Sequence, residues 1–330
     1  MLKGLFILTE KNFEITYGPQ EIKDIKKYVD INERSMTKAE IRKDLSVLKS
    51  VEVIFSGWGG PRMDSEFLEA APNLQCVFYG SGSIKGKVTD EFWEKEITIC
   101  SSWAANAVPV AEYTLAQILF SLKRGWYFAF EVKKENRFLL KKNISGAYGS
   151  TVGIISLGMI GRKVCEFLKD FDVKVIAYDP YISSEKAAKL NVELCELDEV
   201  FRQAEVVSLH APLLPETEGM ITGEHFKLMK ENATFINTAR GAVVNEPEMI
   251  AVLQERSDIY AVLDVTYPEP PAADSPLYDL LNVVLTPHIA GSIGRECRRM
   301  GRYMVNELER YVAGQPLKWS ITREQIKIMA

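Results

Sequence analysis

Three short polar motifs follow one another between residues 237 and 291, and each directly follows an apolar run that is typical of a buried strand. They are Asn237–Gly241, Asp264–Pro270 and Thr286–Gly291. Because the carboxyl ends of parallel strands meet at one edge of a sheet, this order would bring an arginine, a carboxylate and a histidine together. An arginine can clamp a carboxylate, an acid can orient a histidine, and a histidine can donate a proton. That combination suits the reduction of a 2-keto acid.

Physical chemistry suggests a role for each of the three side chains. Arg240 is planar and permanently charged, so we expect it to bind a substrate carboxylate in a bidentate way and to polarise the carbonyl group. His288 would donate a proton to the carbonyl oxygen during reduction and accept it during oxidation, while Glu269 would stabilise the imidazolium and fix its orientation. Taken singly, each side chain could be a surface or turn residue. Their occurrence at consecutive strand ends favours the catalytic interpretation.

The elements that position these motifs form a repeated pattern. From residue 152 onward, six apolar runs alternate with helix-like stretches, and the runs are mostly Val and Ile, as expected for parallel strands buried on both faces. The runs are Val152–Ser156, Val173–Tyr178, Val206–Leu209, Thr234–Thr238, Tyr260–Val265 and Val283–Thr286. This predicts an α/β fold with a doubly wound Rossmann sheet, whose ligands bind at the carboxyl ends of the strands.

The N-terminal third shows a smaller α/β pattern. Its strand-like runs are Leu5–Thr9, Val51–Ser56, Leu74–Tyr79 and Ile97–Cys100. The stretch from Pro109 to Arg124 predicts a connecting helix with proline in its first turn. Residues 125–150 are aromatic and basic without clear periodicity, and are either an arm that packs on a second subunit or an irregular covering loop. The helical pattern from Gly294 to Val312 is expected to return the C-terminal tail to the N-terminal unit.

The first of the six strands leads into a glycine-rich turn, residues 156–161, that opens a helix. This context is typical of a dinucleotide-binding unit, in which Gly158 lets the backbone approach a pyrophosphate and Gly161 permits close packing of helix and strand. Serine replaces the first glycine of the pattern, so we expect the turn to use a conformation open to a residue with a Cβ. The serine hydroxyl would bond a phosphate or a helix N–H. The predicted cofactor contacts in this turn are Ser156, Gly158, Met159, Ile160 and Gly161.

An acidic residue follows the second strand at the spacing that indicates the cofactor. Asp179 lies roughly 20 residues after the last glycine of the turn, where an acid meets the adenosine ribose. Its carboxylate would accept hydrogen bonds from both ribose hydroxyls and repel a 2′-phosphate, so NAD is predicted in preference to NADP. The alternative, a solvated turn aspartate, would leave the cofactor choice open.

These motifs together resemble the signatures of the D-isomer-specific 2-hydroxyacid dehydrogenase family. Further likeness lies in Leu209–Thr217 and Asn106–Glu112, so the resemblance covers most of the chain from about residue 74 to residue 316. The resemblance implies a smaller, flavodoxin-like, discontinuous substrate domain, residues 1–102 and 296–330, and an inserted NAD domain, residues 103–295. It also implies a homodimer formed largely through the NAD domains, catalytic roles for Arg240, Glu269 and His288, and a position for Asp264 near the nicotinamide amide.

The remaining predicted contacts belong to the cofactor and the substrate. Those for the cofactor are His210, Pro212, Thr217, Thr238, Ala239, Arg240, Asp264, His288 and Gly291. Two glycine-rich stretches that follow strands in the N-terminal unit, residues 56–61 and 79–86, can hold a carboxylate beside Arg240 with backbone N–H groups. The predicted substrate contacts are Trp58, Ser81, Gly82, Ser83, Asn106, Arg240 and His288. Trp58 is equally well explained by core packing, and Ser83-Ile84-Lys85 replaces the Gly-x-Asp motif that relatives commonly carry, so the substrate stays open.

Composition narrows the class of protein. The chain has 330 residues and a net charge of −5, which favours neither nucleic acid nor an anionic membrane as a partner. No apolar run is long enough to span a bilayer, and the N-terminal run is too short for a secretory signal, so a cytoplasmic protein is expected. Five cysteines without a Cys-x-x-Cys pair, and no cluster with metal-ligand spacing, argue against a disulfide framework and a metal site.

Two function classes remain. The leading one is an NAD(H)-dependent oxidoreductase that interconverts a 2-keto acid and a D-2-hydroxy acid by hydride transfer, working mainly as a ketoacid reductase. Within it, a glyoxylate/hydroxypyruvate type and a sugar-acid or 3-phosphoglycerate type are not separable. The chain is expected to lack the regulatory C-terminal module of the longer phosphoglycerate enzymes. The alternative is an NAD(H)-sensing, corepressor-type binding protein on the same fold.

Overall fold

A computed structural model describes residues 1–329 of the chain. It divides into two compact units, which we call unit 1, residues 1–106 and 292–329, and unit 2, residues 107–291. Each unit has its own parallel sheet with helices around it, and the predicted α/β class is confirmed. Strands and helices are numbered separately along the chain.

Unit 2 carries the doubly wound sheet that the sequence predicted. Its elements are α7 (Gly125–Glu135), β7 (Thr151–Ile155), α8 (Met159–Leu168), β8 (Lys174–Tyr178), α9 (Ser184–Ala188), β9 (Glu193–Leu194), α10 (Leu197–Gln203), β10 (Val206–Leu209), α11 (Gly223–Leu228), β11 (Thr234–Asn237), α12 (Glu246–Glu255), β12 (Tyr260–Leu263) and β13 (Val283–Leu285). All strand pairs are parallel and the order is β13-β12-β11-β10-β7-β8-β9. The strand order therefore reverses between β7 and β10, which is where such sheets bind ligands.

Alternating burial explains why this sheet needs helices on both faces. Val206 belongs to the core packed under α8, and its neighbour Val207 belongs to the core packed under α10, α11 and α12. Successive side chains of a strand point to opposite faces of the sheet. An unbroken apolar run therefore places apolar side chains on both faces, and helices must cover both.

Unit 1 has a smaller parallel sheet. Its elements are β1 (Leu2–Ile7), α1 (Glu10–Thr16), α2 (Pro19–Ile25), β2 (Val29–Asp30), β3 (Ser35–Met36), α3 (Lys38–Lys43), β4 (Val53–Ser56), α4 (Ser65–Ala70), β5 (Cys76–Tyr79), α5 (Asp90–Glu94), β6 (Thr98–Ser101) and, from the C-terminal segment, α13 (Cys297–Val312). The order is β2-β1-β4-β5-β6, and β3 also pairs with β1. Helix α13 packs Met304 and Leu308 into the core of this unit, beside Phe6 and Phe55.

The structure differs from the sequence prediction in several local elements. Helix α6 (Trp103–Leu122) has Pro109 in its interior, not in its first turn. The prediction relied on the preference of proline for a helix start, whereas the apolar face of this helix extends further toward the N-terminus. Residues 125–135 form α7, in which Trp126 and Phe130 are paired at helical spacing. Within residues 1–329, no helix combines the length and apolar content needed to cross a membrane.

Candidate active site

Two of the three predicted catalytic side chains meet in unit 2. Glu269 follows β12 and His288 follows β13, and Glu269 Oε1 lies 2.7 Å from His288 Nδ1. Because a carboxylate only accepts hydrogen bonds, Nδ1 carries the proton and Nε2 is left to exchange a proton with a substrate. The two side chains are 43% and 47% exposed, so this pair is open to a ligand.

Arg240 follows β11, the neighbouring strand. Its Nη1 donates to the carbonyl oxygen of Ala239 at 2.6 Å. Burial lowers the pKa of the guanidinium, and the nearby charge of Glu269 opposes that shift. Buried Asn237 shapes the loop: its Nδ2 donates to the Arg240 carbonyl at 3.1 Å and its Oδ1 accepts from the Ala239 N–H at 3.0 Å. A charged arginine is therefore held on a loop with little freedom.

Asp264 organises the loop that carries His288. Its buried carboxylate accepts hydrogen bonds from Thr286 Oγ1 at 2.7 Å and from the N–H groups of Ile289 and Ala290 at 2.8 Å each. The hydroxyl of Tyr113 lies 2.9 Å from Thr286 Oγ1, and since the single Thr286 proton goes to Asp264, Tyr113 is the donor. His288 has a φ of +54°, a backbone conformation that this network maintains.

Two further residues connect the loops after β11 and β12: Gly241, the last residue of the first motif, and Glu246, which lies outside the predicted motifs. A Cβ on Gly241 would overlap the carbonyl group of Thr266, so the two loops touch backbone to backbone. At the start of α12, buried Glu246 accepts a hydrogen bond from the Tyr267 N–H at 2.9 Å, and burial raises its pKa. No sequence signal distinguishes Glu246, because an acidic residue is common in the first turn of any helix.

The glycine-rich turn differs from the prediction at its first residue. Ser156 has a φ of +76°, the left-handed region that favours glycine, so the expected conformation open to a Cβ is wrong. Within residues 1–329 its hydroxyl makes no hydrogen bond, and a helix N–H is therefore not its partner. The predicted close packing at Gly161 is present, because a Cβ there would overlap the Ser156 carbonyl oxygen.

The turn and the helix after it fit the pyrophosphate of a dinucleotide. A Cβ on Gly158 would point into open space, with Ser156 Oγ as its nearest neighbour at 4.0 Å. Gly158 caps α8 without a side-chain hydrogen bond, which leaves the first N–H groups of this helix available to an anion. Asp179 Oδ2 accepts from the Leu157 N–H at 2.6 Å and Oδ1 from the Tyr181 N–H at 2.8 Å. A carboxylate has about four lone-pair sites, so acceptor capacity for ribose hydroxyls remains.

Other predicted cofactor residues support the loops themselves. The Thr217 hydroxyl donates to the Pro212 carbonyl at 2.6 Å, and Thr238 Oγ1 lies 3.2 Å from Thr114 Oγ1. His210 is buried at the end of β10 with Nε2 3.0 Å from Ser208 Oγ, and burial lowers its pKa to about 3. This histidine is neutral near pH 7. Met159, Ile160, Ala239 and Gly291 also lie in unit 2, in the loops and helix starts described above.

Comparison with known proteins identifies the family. Residues 115–290 match the family model of the D-isomer specific 2-hydroxyacid dehydrogenase NAD binding domain. The chain belongs to this family. NAD is accordingly the cofactor of the matched domain.

Three relatives illustrate the likeness. D-3-phosphoglycerate dehydrogenase of Methanocaldococcus jannaschii is 32% identical over 85% of this chain and 53% of its own length. (S)-Sulfolactate dehydrogenase of Chromohalobacter salexigens is 33% identical over 76% of this chain and 81% of its own length. A D-isomer specific 2-hydroxyacid dehydrogenase from Lactobacillus delbrueckii ssp. bulgaricus, solved with NAD, is similar in fold, with a TM-score of 0.78 and 24% identity over 97% of this chain and 100% of that one. The chain spans about half the length of the phosphoglycerate dehydrogenases it matches.

The predicted substrate residues of this family member lie in both units. Arg240 and His288 are in unit 2, and Trp58, Ser81, Gly82, Ser83 and Asn106 are in unit 1. Trp58 is half-buried and packs against Ala105, Cys297 and Met300, in agreement with a role in core packing. Ser83 Oγ accepts from the Lys85 N–H at 3.3 Å, and Asn106 Oδ1 accepts from the Ser292 N–H at 2.8 Å. No group of three or more His, Cys, Asp or Glu side chains among the described residues could hold a metal ion.

Proposed function

We propose that this protein is an NAD(H)-dependent enzyme that interconverts a 2-keto acid and a D-2-hydroxy acid, acting mainly as a reductase. The observation that carries the proposal is the hydrogen bond between Glu269 and His288, 2.7 Å long and half exposed, on the loops next to the one that carries Arg240. The relatives are named as dehydrogenases, so the NAD(H)-sensing alternative is not favoured.

The chain's own residues have distinct tasks in this proposal. Arg240 binds the substrate carboxylate with the nitrogens that Ala239 does not engage, and its charge polarises the carbonyl group. His288 gives the proton on Nε2 to the carbonyl oxygen during reduction and takes it back during oxidation. Glu269 stabilises the imidazolium and keeps Nε2 directed outward. Asp264 and Glu246 are positioning residues, because they act through the loops that carry His288 and Glu269.

The cofactor's share of the chemistry is separate. Bound in the reduced form, it supplies the hydride that the substrate carbon accepts. Gly158 and the N-terminus of α8 would hold its pyrophosphate, and Asp179 would accept from the adenosine ribose hydroxyls. The repulsion between Asp179 and a 2′-phosphate leads us to expect NADH to bind at least about tenfold tighter than NADPH. Equal dissociation constants in a fluorescence titration would contradict this expectation.

We also propose that unit 1 is the substrate domain, contributing Trp58, Ser81, Gly82, Ser83 and Asn106. The names of the relatives suggest substrates with a second anionic group, such as a phosphate or a sulfonate. A panel of glyoxylate, pyruvate, hydroxypyruvate, 3-phosphohydroxypyruvate and 3-sulfopyruvate, assayed by NADH oxidation, separates these possibilities.

The same assay tests the proposed function itself. We expect turnover of at least one keto acid, and a loss of about 10²–10⁴-fold in rate for His288→Ala. The matched control is His225→Ala, since His225 lies in α11 and hydrogen-bonds to Thr222, away from the proposed reacting groups. Tight NADH binding without turnover of any keto acid in the panel would support a sensing protein instead.

Assembly and location are further proposals. We propose a homodimer in which residues 136–149, with Phe138 92% and Leu140 74% exposed, pack on a second copy. Light scattering of Phe138→Ser/Leu140→Ser should give a monomer where the wild type gives a dimer. Tyr181→Ser removes a similarly exposed aromatic side chain elsewhere and should leave the dimer intact.

We propose a cytoplasmic location because all five cysteines are free thiols, as is usual in a reducing compartment.

A further inference from the structure

A cavity of about 530 Å³ lies in unit 1, between the end of α1, helix α2 and the first turn of α13. This volume is within the range of small-molecule sites. Its lining includes no residue of the two glycine-rich stretches, 56–61 and 79–86, from which substrate contacts were predicted. The cavity is therefore a separate feature of unit 1.

The floor of the cavity is apolar. It is formed by Phe13 and Tyr17 of the α1 region and by Ile22 of α2, and the first two are almost fully buried. The Tyr17 hydroxyl points away to the Ser56 carbonyl oxygen, 3.1 Å distant, so the aromatic ring and not the hydroxyl faces this space. Such a floor suits a hydrocarbon or aromatic body.

The rim of the cavity is cationic. Lys26 and Glu33 form an ion pair at 2.6 Å and neutralise each other. Of the other charged residues that line the cavity, Lys23 and Arg298 are positive and Glu14 is negative. One positive charge is thus left in excess, and it favours an anionic ligand.

Arg298 is held in the cavity wall without a carboxylate partner. Its guanidinium lies against Gly18, where a Cβ would be 2.5 Å from Nη1, although the Gly18 φ of −83° is open to any residue. Nη1 is buried, and no atom of residues 1–329 accepts a hydrogen bond from it. One turn later on α13, Arg302 has two carboxylates, Glu21 at 2.7 Å and Asp24 at 2.8 Å. Of these two arginines, Arg302 is therefore fully paired and Arg298, which lines the cavity, is left available.

We propose that this cavity is a binding site for a small amphipathic anion, namely a monocarboxylate with an aromatic or branched aliphatic body. The carboxylate binds Arg298, whose planar guanidinium matches a carboxylate in a bidentate way, and Lys23 adds a second positive charge. The body of the ligand packs on Phe13, Tyr17 and Ile22. This site does not depend on the proposed enzymatic function.

Isothermal titration calorimetry with 4-phenylbutyrate tests the site. We expect saturable binding to the wild type, and binding at least about tenfold weaker for 4-phenylbutanamide, which lacks the charge, and for acetate, which lacks the body. Arg298→Gln should weaken 4-phenylbutyrate binding by about tenfold or more. The matched control is Arg295→Gln, because Arg295 is exposed on the preceding turn and does not line the cavity.

Two further variants test whether 4-phenylbutyrate binds in this cavity and not elsewhere on the protein. Ile22→Trp keeps Arg298 but fills the cavity, so it should also abolish binding; melting curves show whether each variant is folded. Arg240→Gln removes the other arginine expected to bind carboxylates and should leave 4-phenylbutyrate binding unchanged. Loss of binding in Arg240→Gln with retention in Arg298→Gln, or no saturable binding to the wild type, would overturn the proposal.

Discussion

Replacing Ser156 by glycine should stabilise unit 2, because Ser156 occupies a backbone conformation that disfavours a side chain. Its φ is +76°. A residue with a Cβ in the left-handed region costs roughly 1–2 kcal/mol, and glycine avoids that cost. Glycine in turn costs roughly 0.4–1 kcal/mol through the greater freedom of the unfolded chain. The difference between the midpoints of these ranges predicts a net gain of about 0.8 kcal/mol in the free energy of unfolding, and the extremes span about 0–1.6 kcal/mol.

The matched control is Ser156→Ala, which removes the hydroxyl and keeps the Cβ. Since that hydroxyl makes no hydrogen bond in the described part of the chain, alanine should change the free energy of unfolding by less than about 0.5 kcal/mol. Differential scanning calorimetry of the three proteins should place glycine above serine and alanine in melting temperature. If the alanine and glycine variants melt together, the conformational argument is refuted.

The same proteins test whether the Ser156 hydroxyl is a phosphate ligand. The dinucleotide-binding pattern has glycine at this position, and the Ser156 hydroxyl makes no hydrogen bond within residues 1–329, so the dissociation constant for NADH should change by no more than severalfold in both variants. A loss of about a hundredfold in both would show that the hydroxyl is a principal ligand of the pyrophosphate. A loss in the glycine variant alone would instead indicate that the added flexibility of the turn weakens binding.

Two further predictions concern histidines. Glu269→Gln replaces the carboxylate that accepts a hydrogen bond from His288 Nδ1 and holds the ring in place, so the rate of hydride transfer in keto-acid reduction should fall by about tenfold or more; a stopped-flow rate equal to that of the wild type would exclude this role for Glu269. Burial lowers the pKa of His210 from 6.5 to about 3, so the unfolded state binds a proton before the folded state does. Its contribution to stability is complete above pH 6.5 and is lost as pH falls, by about 2 kcal/mol between pH 7.5 and 5. Urea unfolding across this range should show the loss in the wild type and a flatter profile in His210→Gln; equal slopes would contradict the assignment.

The architecture of unit 2 could be predicted because its signals are local and repeated. Continuous Val and Ile runs indicate strands buried on both faces, and their regular alternation with helices indicates a parallel sheet. The three motifs that bear Arg240, Glu269 and His288 follow β11, β12 and β13, and these strands are neighbours in the sheet in the same order as in the chain. Motifs that follow consecutive strands of this kind therefore also lie next to one another in the structure.

The elements that the sequence did not predict lack a strong local signal. Strand β9 has two residues, Glu193 and Leu194, which is too short for a periodic pattern. Pro109 suggested a helix start, but tertiary packing of the preceding turns at Ala104 and Ala105 extends α6 by six residues toward the N-terminus. Residue type alone does not indicate the φ of Ser156, because that angle depends on the close approach of Gly161 in α8 to the Ser156 carbonyl oxygen.

The supporting residues of the site, Glu246 and Tyr113, could not be predicted from the sequence for a different reason. Glu246 acts on Tyr267 and Tyr113 acts on Thr286, across sequence distances that no motif spans. Their effect is nonetheless specific: the loop from Asp264 to Glu269 leaves β12 without further strand pairing, so its course depends on such contacts. A chain with the three reacting side chains but without these contacts would keep the reactive groups and lose their alignment. The rate of catalysis depends strongly on that alignment.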